Sequence, residues 1–291
     1  MIQFTQKHVR VAVTQAEPVW LDLVCTVQKI CDLITEAAST GAEIISFPEC
    51  WLSGYPAWIW DRPVDPELAA RYIRNSLVVE LVEMERIRAC AAANKIIILT
   101  LRSKTKATHM ERTIFGDATA ECLDSVVDTP LGRIGALSCW KHVQPLLKYH
   151  TYSQREQIHI AAWLPAFDHD GKSLWSMSRE GTEAIARTCA IEWQSFVLHT
   201  TAVFSESGID QMSTHNDLMM NSPEGGSAVF SPDGQKLSTN IPADKKGIIY
   251  ADLDIDDILH SKALLDVVGH YSRPDLLWLG VDPVVKPQVK L

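Results

Sequence analysis

The sequence predicts an α/β fold in one domain, because short apolar runs alternate with longer amphipathic segments along its 291 residues. Apolar residues make up 46% of the chain and charged residues 22%, which favours a globular core over intrinsic disorder. No linker and no internal repeat divides the chain. We therefore expect a single domain over residues 1–282 and an irregular tail over 283–291.

In the first third of the chain, strands are predicted where short apolar runs stop at turn residues. Residues 9–15 form the first predicted strand, and residues 23–40 form a helix that Gly41 ends. The next strand covers 43–49, and its proline breaks the apolar run. Residues 66–94 contain helical stretches, and 95–101 is a further strand.

The rest of the chain continues the same alternation. The expected strands are 132–139, 158–163, 196–204, 226–231 and 247–254. Helices are expected over 143–152, 173–193 and 255–265, the second of them capped by Ser173. The turn SPDG over 231–234 separates two of the strands.

Charge and cysteine content narrow the class of protein. Twenty-seven Lys and Arg against 36 Asp and Glu give a net charge of −9, which argues against a nucleic-acid surface. No apolar run approaches the roughly 20 residues of a membrane span, and the N-terminus does not resemble a signal peptide. Seven cysteines without a Cys-x-x-Cys pair favour a reducing, cytoplasmic setting over a disulfide framework or a zinc ribbon. The ten histidines are scattered, so no metal site is expected.

Three predicted strands end in residues that can carry chemistry, namely Glu49, Cys139 and Trp163. In open α/β sheets, functional groups gather at the carboxyl ends of the strands. Cys139 lies between a strand and a probable helix start, where the helix dipole favours a thiolate; the alternative is a small buried apolar residue. For Glu49 the alternative is a capping carboxylate. The charged stretch 103–117 is compatible either with a solvated loop or with a further part of a site.

Five longer stretches carry a resemblance to a known family. They are FPECWLSGYPAWIW (47–60), KATHMERTIFGD (106–117), VDTPLGRIGALSCW (127–140), QPLLKYHTYSQREQIHIAAW (144–163) and VGHYSRPDLLWLGVD (268–282). Together they resemble the nitrilase family of carbon-nitrogen hydrolases, and most closely the fungal nitrilases that act on aromatic and arylaliphatic nitriles. The resemblance extends from about residue 9 to residue 282.

The resemblance implies a four-layer α-β-β-α sandwich and a cofactor-free hydrolase whose substrate is a small nitrile. By motif, Cys139 is the nucleophile, Glu49 the general base and Lys104 the cation that stabilises developing charge, while Glu111 is the additional carboxylate of the pocket. Trp51, Tyr55, Trp58 and Trp163 are candidates for the pocket wall, with core packing as the alternative for each. The family also implies a homo-oligomer, either a dimer or a spiral assembly.

The chain departs from the family pattern in two places. First, residues 95–101 lead almost directly into Lys104, so roughly 25–30 residues, about two strands with their connections, are absent. The missing strands would lie in one sheet, and their loss exposes new strand edges and apolar surface. Second, Lys141 replaces the glutamate that the family usually has two residues after the nucleophile.

The leading hypothesis is a nitrilase that releases a carboxylic acid and ammonia. One alternative is a nitrile- or cyanide-hydrating enzyme that releases the amide, and an amide-hydrolysing relative is less favoured by the motifs. The other alternative is a catalytically impaired family member that acts as a binding or assembly partner. The preferred nitrile, the oligomer size and the biological role are not predicted.

Overall fold

A computed structural model describes residues 8–99, 107–169, 171, 174–215 and 224–286. The strands within these ranges are β1 His8–Gln15, β2 Ile44–Ser46, β3 Ile97–Leu99, β4 Val126–Thr129, β5 Gly132–Ser138, β6 Ile158–Ala162, β7 Phe196–Thr200, β8 Ala228–Phe230 and β9 Gly247–Asp254. The α-helices are α1 Leu23–Ser39, α2 Pro66–Arg74, α3 Val82–Asn94, α4 Pro145–Ser153, α5 Arg179–Trp193, α6 Glu206–Met212 and α7 Asp256–Leu264. Short 3₁₀ turns cover Ala57–Trp60, His109–Thr113, Ala120–Leu123, Cys139–Val143 and Trp175–Met177.

The described strands form two sheets. The first sheet has the order β3-β2-β1-β9, in which β1, β2 and β3 are parallel and β9 is antiparallel to β1. The second has the order β4-β5-β6-β7-β8, in which β5, β6 and β7 are parallel and the two edge strands are antiparallel. Parallel neighbours bring the carboxyl ends of β5 and β6 to the same edge of the second sheet.

The main core lies between the two sheets. Alternate residues of β1 and β9 pack there against alternate residues of β5, β6 and β7, as the two-residue period of a strand requires. Ile134, Ile160 and Leu198 are examples from the second sheet, and all are buried. The faces of the two sheets that point toward each other are therefore apolar.

The outer faces of both sheets are covered by helices. Residues of β1 and β2 such as Ala12 and Ile45 pack against α1 and α3. On the second sheet, Leu137 of β5 packs against Cys189 and Trp193 of α5. The order helix, sheet, sheet, helix is the predicted four-layer α-β-β-α sandwich, which is thereby confirmed.

Several element boundaries differ from the sequence-based expectation. The long helix begins at Arg179 and not near 173, because the 3₁₀ turn Trp175–Met177 comes first and Ser178 provides the cap by accepting a hydrogen bond from the Gly181 amide at 3.1 Å. Two elements, β4 and α6, were not expected at all. β4 is a short edge strand with two exposed residues, and so it lacks the apolar run that marks a buried strand.

A cleft of about 680 Å³ opens beside β3, which is an edge strand of the first sheet among the described residues. Its walls include Leu99 from β3, Ala136 from β5, and Ile160 and Ala162 from β6. All three residues of β3 are only partly buried. The absence of strands next to β3 would produce this arrangement, because their side chains would otherwise cover the apolar walls.

Within the described part of the chain, no helix combines the length and the apolar composition needed to cross a membrane. Residues 277–286 contain no regular secondary structure. The predicted boundary between domain and tail at residue 282 stays a prediction.

Candidate active site

Cys139 lies at the sharp turn where β5 passes into the 3₁₀ turn Cys139–Val143. Its φ angle is 50°, in the left-handed region that residues other than glycine rarely adopt. The residue is buried, with 2% of its surface exposed. A strained strand-to-helix turn presents a nucleophile in a fixed direction beside backbone amides, which suits nucleophilic attack.

Glu49 follows the carboxyl end of β2, on the first sheet, and it is buried. Its amide donates a hydrogen bond of 3.3 Å to the carbonyl of Trp163, which follows β6 on the second sheet. The ends of the two sheets are therefore joined here. Cys50 also has a left-handed φ angle of 54°, so the chain turns sharply directly after the carboxylate.

Glu111 is held by two donors on opposite sides of its carboxylate. One oxygen accepts from the Tyr55 hydroxyl at 3.2 Å, and the other accepts from the Thr108 amide at 2.8 Å in a capping box at the start of the 3₁₀ turn His109–Thr113. The Tyr55 hydroxyl in turn accepts a bond of 2.9 Å from the Trp60 indole N–H. A carboxylate that is 1% exposed is thus fixed in place.

The surroundings of Tyr55 connect Glu111 with Cys139 and Glu49. Burial raises the pKa of its hydroxyl well above the ordinary value, and electrostatic interaction with the acidic groups Glu111, Cys139 and Glu49 raises it further, while the bond from Trp60 opposes them. The contacts link the three predicted residues: Glu111 accepts from Tyr55, Tyr55 lies in one apolar cluster with Cys139 and Trp163, and the Glu49 amide bonds the Trp163 carbonyl. Their catalytic roles stay a prediction.

Three of the four aromatic candidates lie around the same point. Tyr55, Trp58 and Trp163 belong to the apolar cluster that contains Cys139, and each is buried. Trp51 does not join them. Its ring packs against Phe47 at 5.1 Å, and its indole N–H donates to the Ala16 carbonyl at 2.9 Å. Trp51 belongs to the cluster under α1 and α3, and it lines the cleft beside β3 together with Glu49.

Two further aromatic residues line the cleft together with Glu49, and neither was named as a site candidate from the sequence. Tyr72 of α2 packs edge-on against Trp58 at 5.6 Å and against Phe115 at 6.1 Å. Burial raises the pKa of Tyr72 well above its ordinary value, and charge on Cys50 and Glu49 adds to that effect. Phe115 was inside a recognised stretch, and Tyr72 lay on a helix without any motif.

Two lysines, Lys104 and Lys141, were also singled out in the sequence. Lys104 lies outside the described residues. Lys141 is buried on the same 3₁₀ turn as Cys139. Burial is the main cause that lowers the pKa of His142, and the charge of Lys141 lowers it further. Among the described residues, no group of three or more His, Cys, Asp or Glu side chains is arranged to hold a metal ion.

Comparison with solved structures identifies the fold. A variant of the amidase from Nesterenkonia sp. AN1, with a covalent adduct on its active-site cysteine, superposes with a TM-score of 0.61 at 17% sequence identity, over 88% of this chain and 94% of the amidase. A second variant of the same amidase, described as a member of the nitrilase superfamily, superposes with a TM-score of 0.61 at 18% identity, over 89% and 96% of the two chains. The chain has the fold of that superfamily.

Comparison of sequences finds much closer relatives. An arylacetonitrilase of Aspergillus kawachii is 61% identical over 311 positions, and one of Aspergillus niger is 60% identical over 311 positions; each alignment covers 97% of this chain and 94% of the relative. Because this chain has only 291 residues, at least 20 of the 311 aligned positions (311 less 291) have no residue in it.

The family comparison indicates where those positions fall. The model of the Carbon-nitrogen hydrolase family matches residues 10–101 and, in a second stretch, 94–262. The first stretch ends at residue 101 and the second begins at residue 94, so the match divides at β3, where the sequence analysis expects missing strands. Both stretches together cover most of the chain and include Glu49, Glu111 and Cys139. The chain therefore belongs to the carbon-nitrogen hydrolase family.

Proposed function

We propose that this protein is a nitrilase that converts an arylaliphatic or aromatic nitrile and two water molecules into a carboxylic acid and ammonia. The observation that carries the proposal is the convergence of the strained Cys139 with the buried residues Glu49 and Glu111, which are hydrogen-bonded to Trp163 and Tyr55 of the same apolar cluster. The relatives that are about 60% identical are named arylacetonitrilases, which supports a nitrile over an amide as substrate.

The first half of the reaction forms a covalent intermediate. Glu49 takes the proton of the Cys139 thiol, and the sulfur attacks the nitrile carbon, forming a C–S bond while one π bond of the nitrile opens. The nitrogen takes up a proton, which gives a thioimidate. By family resemblance, Lys104 stabilises the charge that develops on this nitrogen.

The second half releases the products. Water, activated by Glu49, adds to the thioimidate carbon, and ammonia leaves from the resulting tetrahedral species as a thioester forms. A second water then cleaves the C–S bond of the thioester, which releases the carboxylic acid and returns the proton to the Cys139 sulfur. Glu111, which Tyr55 and Thr108 hold in place, would orient Lys104 and keep it charged.

The aromatic residues support a substrate with a ring. Trp58 and Trp163 share one apolar cluster with the nucleophile, and Tyr72 and Phe115 continue it. Aromatic rings favour other rings in offset or edge-to-face arrangements, worth about 0.5–1.5 kcal/mol per pair beyond burial. We infer that phenylacetonitrile is turned over faster than an aliphatic nitrile or cyanide.

A second candidate is a family member with impaired catalysis, and the aligned positions that this chain lacks favour it. Those positions precede the segment that carries Lys104. A catalytic group has to be held within about 0.5 Å of its productive position, which the loss of neighbouring strands endangers. A measurement of nitrile turnover distinguishes the active enzyme from the impaired family member, whereas a measurement of ligand binding does not.

The test is a product assay on the purified chain. Ammonia, acid and amide are measured from phenylacetonitrile, benzonitrile, an aliphatic nitrile and cyanide, with Cys139→Ala as the inactive control and Cys90→Ala as the matched control, because Cys90 lies on α3 away from the site. We expect ammonia and acid in equal amounts, unchanged in Cys90→Ala and absent in Cys139→Ala. Amide as the main product would indicate a nitrile-hydrating enzyme, and folded protein without any turnover would favour the impaired member.

We also propose that the protein is cytoplasmic and forms homo-oligomers. Leu276, Leu277 and Trp278 are more than 60% exposed near the end of the described chain, and such apolar side chains are commonly buried in a subunit contact. Light scattering coupled to size exclusion measures the assembly. A monomer over a wide concentration range would contradict the oligomer.

A further inference from the structure

Beneath the Cys139 turn, three buried side chains form an unbroken chain of hydrogen bonds. His142 Nδ1 lies 2.7 Å from the carbonyl oxygen of Cys139, and His142 Nε2 lies 3.0 Å from Nε2 of His159. His159 Nδ1 lies 2.9 Å from a carboxyl oxygen of Glu156. All three residues are at most 1% exposed.

The direction of the first two hydrogen bonds follows from the backbone. The Cys139 carbonyl can only accept, so His142 Nδ1 carries the proton, Nε2 of the neutral ring accepts, and His159 donates to it from Nε2. The third bond has two possible forms: a neutral Glu156 that donates to Nδ1 of a neutral His159, or an ion pair of a protonated His159 with an ionised Glu156.

Two observations favour the neutral form over the ion pair. The other carboxyl oxygen of Glu156 is buried and has no hydrogen-bond partner, which a neutral acid tolerates far better than a carboxylate does. Burial raises the pKa of Glu156 well above its ordinary value and lowers the pKa of both His142 and His159 well below theirs. Both shifts favour the uncharged forms of the three side chains.

The surroundings of the network contain few charges and little free space. His142 stacks on Trp163 at 5.3 Å and on Trp193 at 6.3 Å. Lys262 of α7 is the charged group that acts on Glu156, whereas Lys141 and Lys148 act on His142. Gly135 lies opposite His159 in the sheet, and a Cβ there would approach the bonded oxygen of Glu156 to 1.7 Å.

We propose that Glu156, His159 and His142 are positioning residues that hold the Cys139 turn in its strained conformation through a charge-neutral relay of hydrogen bonds. The inference rests on the proposed role of Cys139 as nucleophile. The relay restrains the carbonyl of the residue whose φ angle is 50°, and so fixes the direction of its thiol. None of the three side chains is assigned a contact with the substrate.

A pair of variants at Glu156 separates positioning from general stability. In Glu156→Gln the side-chain amide still donates to His159 and the relay survives, whereas Glu156→Leu has a similar volume and cannot donate. We expect Gln to stay within about threefold of the wild type in kcat, and Leu to lose tenfold or more in kcat at nearly unchanged KM, since misplacing a reacting group by about 1 Å costs up to 100-fold. Thermal melting of each variant confirms that folded protein is compared.

A second readout does not depend on nitrile turnover. The rate at which iodoacetamide alkylates Cys139, read by peptide mass spectrometry against exposed Cys25, reports the placement of the thiol. We expect the ratio to be preserved in Glu156→Gln and changed at least threefold in Glu156→Leu and in His142→Phe, which retains an aromatic ring. Equal ratios and equal kcat in all variants would overturn the proposal, as would a Gln variant as impaired as Leu. A wild type that alkylates normally but hydrolyses no nitrile would count against the proposed function alone.

Discussion

At the scale of the residue, Tyr55 joins the parts of the site. Its hydroxyl donates to Glu111 and accepts from Trp60, and its ring lies in the apolar cluster that contains Cys139. A buried hydroxyl with both a donor and an acceptor partner is costly to remove, because each partner then loses a bond where water cannot replace it.

Tyr55→Phe is predicted to destabilise the protein by about 1–3 kcal/mol, because Trp60 loses its acceptor and Glu111 loses one donor. The change is also predicted to lower kcat, since Glu111 loses part of its restraint. Urea unfolding and steady-state kinetics measure the two effects. Tyr271→Phe is the matched control because Tyr271 is 65% exposed, and an equal loss in both variants would contradict the assigned role.

At the scale of the element, the pairing of β5 with β6 makes room for the relay. Gly135 faces His159 in the register of the two strands, and the missing side chain leaves space for the carboxyl group of Glu156. The Ser195 hydroxyl, just beyond α5, donates to the Glu156 carbonyl at 2.8 Å, so the start of β6 is fixed from two sides.

Gly135→Ala is therefore predicted to displace Glu156 and to cost about 1–3 kcal/mol of stability, as overpacking of a tight core does. Nitrile turnover should fall with it. Gly116→Ala is the control, because a Cβ there meets no atom within 4 Å. The melting temperature and kcat are measured for both variants. A Gly135→Ala variant that matches Gly116→Ala in both would contradict the prediction, because the Glu156 carboxyl group would then move aside without cost.

The protonation of Glu156 predicts a particular pH dependence of stability. The folded state raises its pKa, so between the ordinary value of 4.5 and the folded pKa the folded protein holds a proton that the unfolded chain releases. Stability contributed by this group is complete below pH 4.5 and declines as the pH rises toward the folded pKa, by about 1.4 kcal/mol per pH unit.

Glu156→Gln removes this decline while keeping the hydrogen bond. The unfolding free energy of the variant relative to wild type is thus predicted to increase with pH above 4.5. Buried neutral His142 and His159 act in the opposite sense, since their lowered pKa values make stability fall below about pH 6.5, but they are common to both proteins. Urea titrations at pH 5, 6 and 7 measure the difference, and a constant difference would contradict a protonated Glu156.

At the scale of the whole molecule, the missing segment is the main departure from the relatives. The aligned arylacetonitrilases have at least 20 positions (311 less 291) without a counterpart here, the family match breaks beside β3, and a cleft of about 680 Å³ opens at that strand. Within the part of the chain that the structure describes, the three observations point to the same place, the side of the sandwich beside β3.

Inserting the corresponding segment of the Aspergillus kawachii relative after β3 is predicted to raise the melting temperature and to lower the binding of the dye ANS. The physical reason for both effects is that the inserted segment would cover the apolar walls of the cleft. Nitrile turnover should rise as well, because the segment with Lys104 follows the insertion. A scrambled segment of equal length is the control, and equal effects of both insertions would contradict the account.

Much of the fold could be predicted because the buried strands are apolar on both faces. β5, β6 and β7 are almost completely buried, and their runs of Ile, Leu, Ala and Val stand out in the sequence. β4 could not be recognised, since an exposed edge strand has no such run. The choice between Ser173 and Ser178 as helix cap depended on a 3₁₀ turn that propensities do not distinguish from a helical turn.

The residues of the site likewise differ in whether the sequence alone could indicate them. Glu49, Glu111 and Cys139 could be proposed from the sequence because each lies in a motif of local sequence. Glu156, His159 and His142 were missed as a group because they meet only when the register of β5 and β6 is known. One signal was present in the sequence: His159 is a polar residue in an otherwise apolar strand, and such a residue needs a buried partner.

The central claim is that Cys139 attacks a nitrile, and intact-protein mass spectrometry tests it most directly. The purified chain is mixed with phenylacetonitrile, quenched with acid within seconds, and compared with Cys139→Ala and Cys90→Ala treated alike. The account predicts a covalent adduct with the mass of the thioimidate or thioester, located on the peptide with Cys139, present in Cys90→Ala and absent in Cys139→Ala. Ammonia release without any adduct dependent on Cys139, or an adduct on another cysteine, would contradict it.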